Sequence, residues 1–241
     1  MPRLSSVGGI AIILGLAFAA GPAAAGSPQF SAETGALCRV PIAQAERDLR
    51  IPRQLLAGVS LAESGRWHVA KKESFAWPWT VTSGKKSHYF ASQEAAIREV
   101  RDLRSKGVRN IDVGCMQVNL HYHPTAFTSL EEAFDPTANV AYAANFLAAL
   151  HDETRSWTRS VARYHSSTPA RGSAYFHRVS KLWERERHRV AGERRREVQE
   201  AYLARKAARE LKRRGQQEAR ERGRARREAR LALDEASKRP L

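Results

Sequence analysis

A carboxylate on an apolar helical face is the feature of this sequence best suited to acid–base chemistry. Leu56 and Val59 mark one face of a predicted helix, and Glu63 continues that face in its last turn. Burial and the negative end of the helix dipole both disfavour a charged carboxylate there, so both raise the pKa of Glu63. A raised pKa suits a general acid that works near neutral pH. The alternative is that Glu63 marks the point where the helix leaves the core and meets water.

The histidines and cysteines offer less specific chemistry. His121 and His123 are two residues apart, which does not place them on one helical face, and no acidic or cysteine ligand stands at a matching spacing. We therefore expect no metal site and no cofactor. Cys38 and Cys115 form a disulfide if the chain is exported to an oxidising compartment, or else they are two small buried hydrophobes. A catalytic cysteine is not expected, because Cys115 lies in an apolar run without a residue that would activate its thiol.

An aromatic-rich stretch over residues 67–90 offers rings that could bind a sugar. Its segment WPWTVTSGKKSHYF predicts a short hairpin or irregular lobe, with Ser83 and Gly84 at the turn. Trp77 and Trp79 could pack against the face of a pyranose while the sugar hydroxyls stay hydrated. The alternative is a small satellite core in which the same rings point inward.

These residues must be positioned by a mainly α-helical domain. Pro52 suits the first turn of the helix that carries Glu63, and Gly65 suits a left-handed cap at its end. Further along, Gly114 within an apolar run indicates a close backbone approach. Gln117 lies in the same run and could line a site or be exposed. Helices are predicted over residues 43–49, 51–65, 92–106, 135–150, 157–165 and 175–183.

The N-terminus has the pattern of a cleaved signal peptide over residues 1–25. Arg3 supplies the positive end, residues 10–20 form an apolar core too short to span a bilayer, and residues 23–25 give an A-x-A cleavage site. The mature chain is expected to start near Gly26 and to contain no transmembrane segment. An uncleaved anchor is the alternative.

The C-terminal part of the chain is strongly basic. The chain has a formal net charge of +16, and residues 181–241 hold 21 Lys and Arg against 11 Asp and Glu, with few large apolar residues. We expect a folded domain over residues 26–183 and a charged helical or disordered tail over residues 184–241. Nucleic-acid binding by this tail is not expected, because export would remove the usual partner.

Four segments in order resemble the signatures of one enzyme family. They are E-S at residues 63–64, G-C-M-Q at 114–117, DPTANVAYAANFL at 135–147 and A-R-Y-H at 162–165. They are similar to the E-S, G-L-M-Q, D-P-x-x-N-I-x-x-G-x-x-Y-L and A-x-Y-N motifs of the soluble lytic transglycosylase (SLT) catalytic domain, which is related to goose-type lysozyme. The match covers roughly residues 38–183.

The resemblance implies a fold and a set of site residues. The fold is a mainly α, lysozyme-like SLT domain, here with an inserted lobe and a basic, partly helical C-terminal extension. Glu63 would be the catalytic acid and base, and Tyr164 would hold it in place. The remaining residues implied to shape the site or to lie against the sugar are Ser64, Gly114, Met116 and Gln117, and the aromatic lobe adds Trp77 and Trp79.

The sequence departs from the family pattern at three motif positions and in one interval. Cys115 replaces the leucine, His165 the asparagine and Phe146 a tyrosine of the motifs. The interval between Glu63 and Met116 is also longer than is usual in the family. It resembles the variant found in some machine-associated transglycosylases, so a secretion or flagellar apparatus is an implied partner, reached through the tail.

The implied substrate is peptidoglycan, cut between N-acetylmuramic acid and N-acetylglucosamine with formation of a 1,6-anhydro ring. Such a reaction needs one acid–base residue, whereas hydrolytic glycosidases normally use two carboxylates. Apart from Asp135, which we interpret as a helix start, no second acid lies inside a motif. Glu73 and Asp112 are near in sequence, and we interpret Asp112 as a turn residue. The alternatives are a hydrolytic muramidase and a non-catalytic wall-binding adaptor. Each implies a bacterial protein in the periplasm or otherwise outside the cytoplasm.

Overall fold

The computed structural model describes residues 32–69 and 71–237. The predicted signal peptide and its cleavage site lie outside the described residues. The described helices are α1 (Ala32–Asp48), α2 (Leu55–Ser64), α3 (Gln93–Ser105), α4 (Leu130–Ala133), α5 (Pro136–Thr154), α6 (Trp157–His165) and α7 (Pro169–Ser237). The strands are β1 (Gly65–His68), β2 (Glu73–Ala76), β3 (Thr80–Ser83), β4 (Lys86–Tyr89), β5 (Ile111–Val113) and β6 (Val118–Asn119). The predicted mainly α fold class is confirmed.

Helix α2 lies at the centre of the main hydrophobic core. Its Leu55, Leu56 and Val59 side chains have no exposed surface, because α2 packs against α1 and α7 within a cluster that also includes residues of α5 and α6. The predicted apolar stripe is therefore real. It directs the last turn of α2, and with it Glu63, toward the edge of this core.

The start of α2 differs from the prediction. The helix begins at Leu55, after Gln54 in a left-handed conformation (φ 63°), so Pro52 precedes the helix rather than opening it. The buried carboxylate of Glu46 in α1 accepts hydrogen bonds from the backbone N–H of Gln54 (2.7 Å) and of Ala57 (3.1 Å). A carboxylate from another helix thus satisfies N–H groups at this terminus, where negative charge is favourable.

The end of α2 also differs from the prediction. Gly65 has extended backbone angles (φ −61°, ψ 125°), so the predicted left-handed cap is wrong. The chain passes directly from Ser64 into β1. A β-carbon at position 65 would lie 2.2 Å from the carbonyl oxygen of Leu61. Glycine is required here because the strand leaves very close to the last helical turn.

The segment between Glu63 and Met116 forms the predicted lobe. Strands β1 and β2 pair antiparallel, and a second antiparallel sheet has the order β4-β3-β5-β6. The β3–β4 hairpin turns at Ser83 and Gly84 (φ 62°), as predicted. This second sheet and α3 enclose a separate hydrophobic cluster whose fully covered members are Ala96, Val100, Ile111, Val113, Ala133 and Phe134.

A disulfide connects the first helix to the segment that follows β5. Cys38 in α1 bonds Cys115 with an S–S distance of 2.10 Å and a Cα–Cα distance of 5.9 Å. Of the two alternatives that the sequence left open, the structure has the disulfide. Helix α1 is longer than the predicted 43–49, because it continues through Pro41 and so brings Cys38 to the core.

Helix α7 runs through the predicted boundary between domain and tail. The predicted helix over 175–183 is too short, since α7 has 69 residues and is about 100 Å long at about 1.5 Å per residue. The indole of Trp183 donates to the carbonyl of Arg53 (2.8 Å), and Arg189 pairs with Glu186 and Glu193 (2.7 Å each). From residue 194 to 233 every side chain of α7 is exposed. Among the described residues, no helix has the length and apolar character needed to cross a membrane.

Candidate active site

Glu63 is held at the edge of the core by a tyrosine from α7. Its half-buried carboxylate accepts a short hydrogen bond from the hydroxyl of Tyr175. Tyr175 is 5% exposed, and its ring stacks on that of His165 at a centroid distance of 4.4 Å. One carboxyl oxygen is therefore fixed by a side chain that is itself buried and stacked on His165.

The environment of Glu63 favours its protonated form. The pKa of Glu63 is raised to about 7, chiefly by burial and in smaller part by the negative charge of Asp112. The hydrogen bond from Tyr175 and the positive charge of Arg178 act in the opposite direction. At neutral pH the protonated and ionised forms of Glu63 are both populated, which is the condition that acid–base catalysis requires.

Asp112 is a second carboxylate of the same site. It lies on β5, so its interpretation as a turn residue is wrong. Burial raises the pKa of Asp112, while a hydrogen bond from the Asn119 amide (2.7 Å) and the neighbouring His165 and His123 lower it. Since Asp112 also raises the pKa of Glu63, strand β5 and helix α2 place two interacting carboxyl groups in one site.

The other two acidic residues near in sequence have structural roles. Glu73 lies 3.6 Å from the guanidinium of Arg39 and 3.9 Å from that of Arg189, and so links α1 to α7. Asp135 caps α5 by accepting a hydrogen bond from the N–H of Ala138 (2.8 Å), as predicted for a helix start.

Ser64 connects helix α2 to the G-C-M-Q segment, residues 114–117. Its buried hydroxyl donates to the carbonyl of Cys115 (2.6 Å) and accepts from the backbone N–H of Trp77 (3.2 Å). The serine after the glutamate therefore shapes the site from within, by joining three segments, and does not present its side chain at the surface.

Asn139 of α5 fixes the backbone of residues 114–117. Its amide oxygen accepts from the N–H of Met116 (2.9 Å), and its nitrogen donates to the carbonyls of Val113 and Ala133 (3.0 Å each). Gly114 has φ +84°, and a β-carbon there would lie 2.3 Å from the Asn139 amide nitrogen. This confirms the predicted close approach at Gly114. Since the Met116 side chain is fully buried, this segment offers mainly backbone to a substrate.

The side chain of Gln117 connects β3 to residues 114–117. Its amide nitrogen donates to the carbonyls of Thr80 (3.1 Å) and Gly114 (3.0 Å), and its amide oxygen accepts from the hydroxyl of Thr82. The backbone of Gln117 is left-handed (φ 49°). These contacts give it a positioning role at the border between β3 and residues 114–117.

The tyrosine predicted to hold Glu63 has a different partner. The hydroxyl of Tyr164 donates to the backbone carbonyl of Met116 (3.0 Å), and its ring packs against Phe146 at 5.7 Å. The role expected of Tyr164, to hold Glu63 in place, is filled by Tyr175 of α7, whose hydroxyl reaches the carboxylate. Tyr164 still belongs to the site, where it supports the segment beside Glu63.

The two tryptophans of the lobe lie in different environments. Trp77 is 4% exposed, and its indole donates to the carbonyl of Phe90 (2.7 Å), so its ring cannot offer a face to a glycan. For Trp77 the satellite-core alternative is the correct one. Trp79 meets Trp77 edge-to-face, with their ring centroids 6.0 Å apart. Because Trp79 is only half-buried, part of its side chain remains accessible.

The histidine pair shows no metal-binding arrangement. The ring of His123 shares a hydrogen bond with the Tyr142 hydroxyl (2.9 Å), and the ring of His121 packs against Tyr122. Within residues 32–69 and 71–237, no group of three or more His, Cys, Asp or Glu side chains is placed to hold a metal ion.

A family comparison agrees with this geometry. A model described as the transglycosylase SLT domain matches residues 41–175, which is more than half of the chain. The chain belongs to the transglycosylase SLT family. The matched region runs from α1 to Tyr175 and so contains the SLT site described above. No curated protein and no solved structure matches the chain significantly. Membership of the SLT family implies lytic transglycosylase activity on peptidoglycan.

Sequence reasoning missed two residues of this SLT site. Asn139 stood in the D-P-x-x-N segment, so its motif position was a signal, although its three hydrogen bonds could not be read from it. For Tyr175 the sequence predicts only the start of the last helix, over residues 175–183. Nothing in its local sequence shows that its hydroxyl reaches Glu63, which is 112 residues away.

Tyr175→Phe is expected to shift the pH dependence of the reaction. The Tyr175 hydroxyl stabilises the ionised form of Glu63 and lowers its pKa, so its removal raises that pKa. The loss of kcat/KM toward high pH, which follows deprotonation of Glu63, should then move to higher pH. Tyr164→Phe, which removes a hydrogen bond to a backbone carbonyl, is the matched control. It should leave the pH at which kcat/KM falls unchanged. If kcat/KM fell at the same pH in wild type and Tyr175→Phe, the role assigned to the Tyr175 hydroxyl would be wrong.

Proposed function

We propose that this SLT protein is a lytic transglycosylase that cleaves peptidoglycan between N-acetylmuramic acid and N-acetylglucosamine with formation of a 1,6-anhydro-muramic end. Protonated Glu63 donates its proton to the bridging oxygen while the glycosidic bond breaks. The oxocarbenium-like muramic sugar is captured by the oxygen of its own N-acetyl group, so no protein nucleophile takes part.

The second step regenerates the acid. Ionised Glu63 takes the proton of the C6 hydroxyl of the same muramic acid, and that oxygen attacks C1 to close the anhydro ring and reopen the N-acetyl adduct. Glu63 is protonated again at the end of the cycle. One residue therefore serves first as acid and then as base.

The observation that carries this proposal is the state of Glu63. A carboxyl group with a pKa of about 7 has nearly equal access to both protonation forms at neutral pH. The bond from Tyr175 keeps one carboxyl oxygen in place, so proton donation and proton abstraction are assigned to the other.

We assign substrate contacts to two surfaces, one next to Glu63 and one in the lobe. One is the backbone of residues 114–117, which Asn139 and Tyr164 hold in a fixed conformation. The other is the accessible part of the Trp79 ring in the lobe. Ser64 and Gln117 are assigned positioning roles, because their side-chain atoms are bonded within the protein.

Mass analysis of muropeptides tests the proposed reaction. Purified sacculi digested by the protein are expected to yield fragments that end in 1,6-anhydro-muramic acid, which are lighter by one water than hydrolysed fragments. Fragments that carry a free reducing muramic end would instead identify a hydrolase, and the absence of soluble fragments would favour a wall-binding adaptor.

A hydrolytic muramidase is the second candidate, and Asp112 is the observation that favours it. A hydrolase needs a second carboxylate to activate water or to act as nucleophile, and Asp112 is close enough to raise the pKa of Glu63. Digestion with Asp112→Asn separates the two reactions. The anhydro product should persist in this variant if Glu63 acts alone, whereas reducing ends formed by the wild type should disappear if Asp112 activates water.

The cellular setting follows from the substrate. Peptidoglycan lies outside the cytoplasm, so we place the protein there, in agreement with the signal peptide predicted from residues 1–25. The aromatic lobe and the long exposed part of α7 support a role beside an envelope-spanning machine, with α7 as the attachment point.

A further inference from the structure

The exposed part of α7, residues 194–233, separates its charges onto two faces. We call this segment the arm. Residues 194–230 contain fifteen Lys and Arg and six Glu. At about 100° per residue, twelve of the fifteen cations, all except Arg196, Arg214 and Arg222, fall within an arc of about 160°. All six glutamates fall in the remaining arc. The twelve cations form a basic stripe about 55 Å long.

The ion pairs of the arm follow the same division. Arg214 pairs with Glu210 (2.8 Å) and Arg222 with Glu218 (3.9 Å), so two of the three cations outside the stripe are neutralised by their own helix. Within the described chain, no ion pair involves a cation of the stripe. The stripe therefore presents uncompensated positive charge to a partner.

The shape of the stripe selects among anionic partners. A planar anionic partner touches only one side of a straight helix, so it binds best when the cations lie on that side and the glutamates on the other. A flexible anionic polymer can wrap around the helix, so its binding does not require the charges to be separated onto two faces. The arm also lacks a continuous apolar face, because its exposed Val198 and Tyr202 lie within the basic arc and Leu211 lies outside it. Such a helix is held at a surface by charge and does not insert.

We propose that the basic stripe docks the protein on an anionic lipid bilayer, with the arm lying along the headgroups. Each Lys or Arg close to an anionic bilayer adds attraction, and this attraction fades beyond a Debye length. Binding is peripheral and sensitive to salt, and it leaves the SLT domain at one end of the arm beside the membrane. This inference does not depend on the reaction that the domain catalyses.

Two variants of equal charge test the stripe in the full chain. One removes three cations of the stripe, by Arg194→Gln, Arg213→Gln and Arg220→Gln. The other removes the three cations outside it, by Arg196→Gln, Arg214→Gln and Arg222→Gln. Both lower the net charge by three at nearly the same heights along the helix. Any contribution of residues 1–31 is common to all proteins compared, and circular dichroism verifies equal helicity.

The measurement is co-sedimentation with vesicles of equal parts phosphatidylglycerol and phosphatidylcholine, and with phosphatidylcholine alone. Wild type is expected to bind the anionic vesicles at about 0.05 M salt, to be released at about 0.5 M, and not to bind phosphatidylcholine. The stripe variant should bind at least about tenfold more weakly than wild type. The off-stripe variant should bind within about twofold of wild type.

Three outcomes would overturn the proposal. The first is that wild type does not bind anionic vesicles, and the second is that both variants lose vesicle binding equally. The third is stripe-dependent binding to sacculi without binding to vesicles, which would identify a wall polymer as the partner. Cleavage of soluble glycan should be unchanged in both variants, so a failure of this proposal is distinguishable from a failure of the proposed reaction.

Discussion

Glu63→Gln is expected to reduce the rate of peptidoglycan cleavage by about 10²–10⁴-fold, because general acid–base groups contribute on this order. Glutamine keeps the shape of the side chain, and its amide oxygen can still accept the bond from Tyr175. What it cannot do is donate a proton to the leaving oxygen or take one from an attacking hydroxyl. The measurement is the release of soluble fragments from purified sacculi by wild type and variant at pH 7.

The stability of Glu63→Gln supplies the control. The folded-state pKa of Glu63 is raised, so its favourable contribution to stability is complete below pH 4.5 and is lost as pH rises through about 7. Above pH 7 the neutral glutamine avoids the burial of charge. The unfolding free energy of the variant should therefore equal or exceed that of wild type at pH 8. A variant that cleaves sacculi within a few-fold of wild type would show that Glu63 is not the acid.

Removal of the Cys38–Cys115 disulfide is the second large effect that we expect. Replacement of both cysteines by alanine should lower the unfolding free energy by about 4.5 kcal/mol in the chain-entropy model, because the bridge spans 77 residues. The loop that it closes contains α2 and the whole lobe. Urea unfolding followed by tryptophan fluorescence measures this difference.

Reductant provides an independent check on the same bridge. Reduced wild type should match the double variant in unfolding free energy, while reductant should not affect the double variant itself. A loss below about 1 kcal/mol in both experiments would mean that the denatured chain is already compact across this loop.

The elements that local signals specify were predicted well. Ser92 caps α3 and Asp135 caps α5 through their own side chains, and Gly84 makes the hairpin turn. In each case the determining contact lies within a few residues, so the sequence pattern contains it. The apolar stripe of α2 was predicted for the same reason, although the predicted left-handed conformation of Gly65 was not found.

The contacts between distant segments could not be predicted. Helix α2 starts where Glu46 of α1 caps it, Glu63 is held by Tyr175, and Trp77 is buried by its lobe. Each of these depends on which elements pack together. The family motifs indicated that a tyrosine belongs beside the glutamate, but two tyrosines, Tyr164 and Tyr175, stand near it, and only coordinates distinguish their partners.

The continuity of α7 fixes the angle around the helix axis at which each residue of the arm lies relative to the Glu63 carboxylate. Tyr175, which bonds Glu63, and the exposed residues beyond 194 belong to one helix. Each residue added between them would turn everything beyond by about 100° and move it outward by about 1.5 Å. Because the proposed docking lays the arm along the surface, the number of residues between Tyr175 and the basic stripe sets which side of the SLT domain faces that surface.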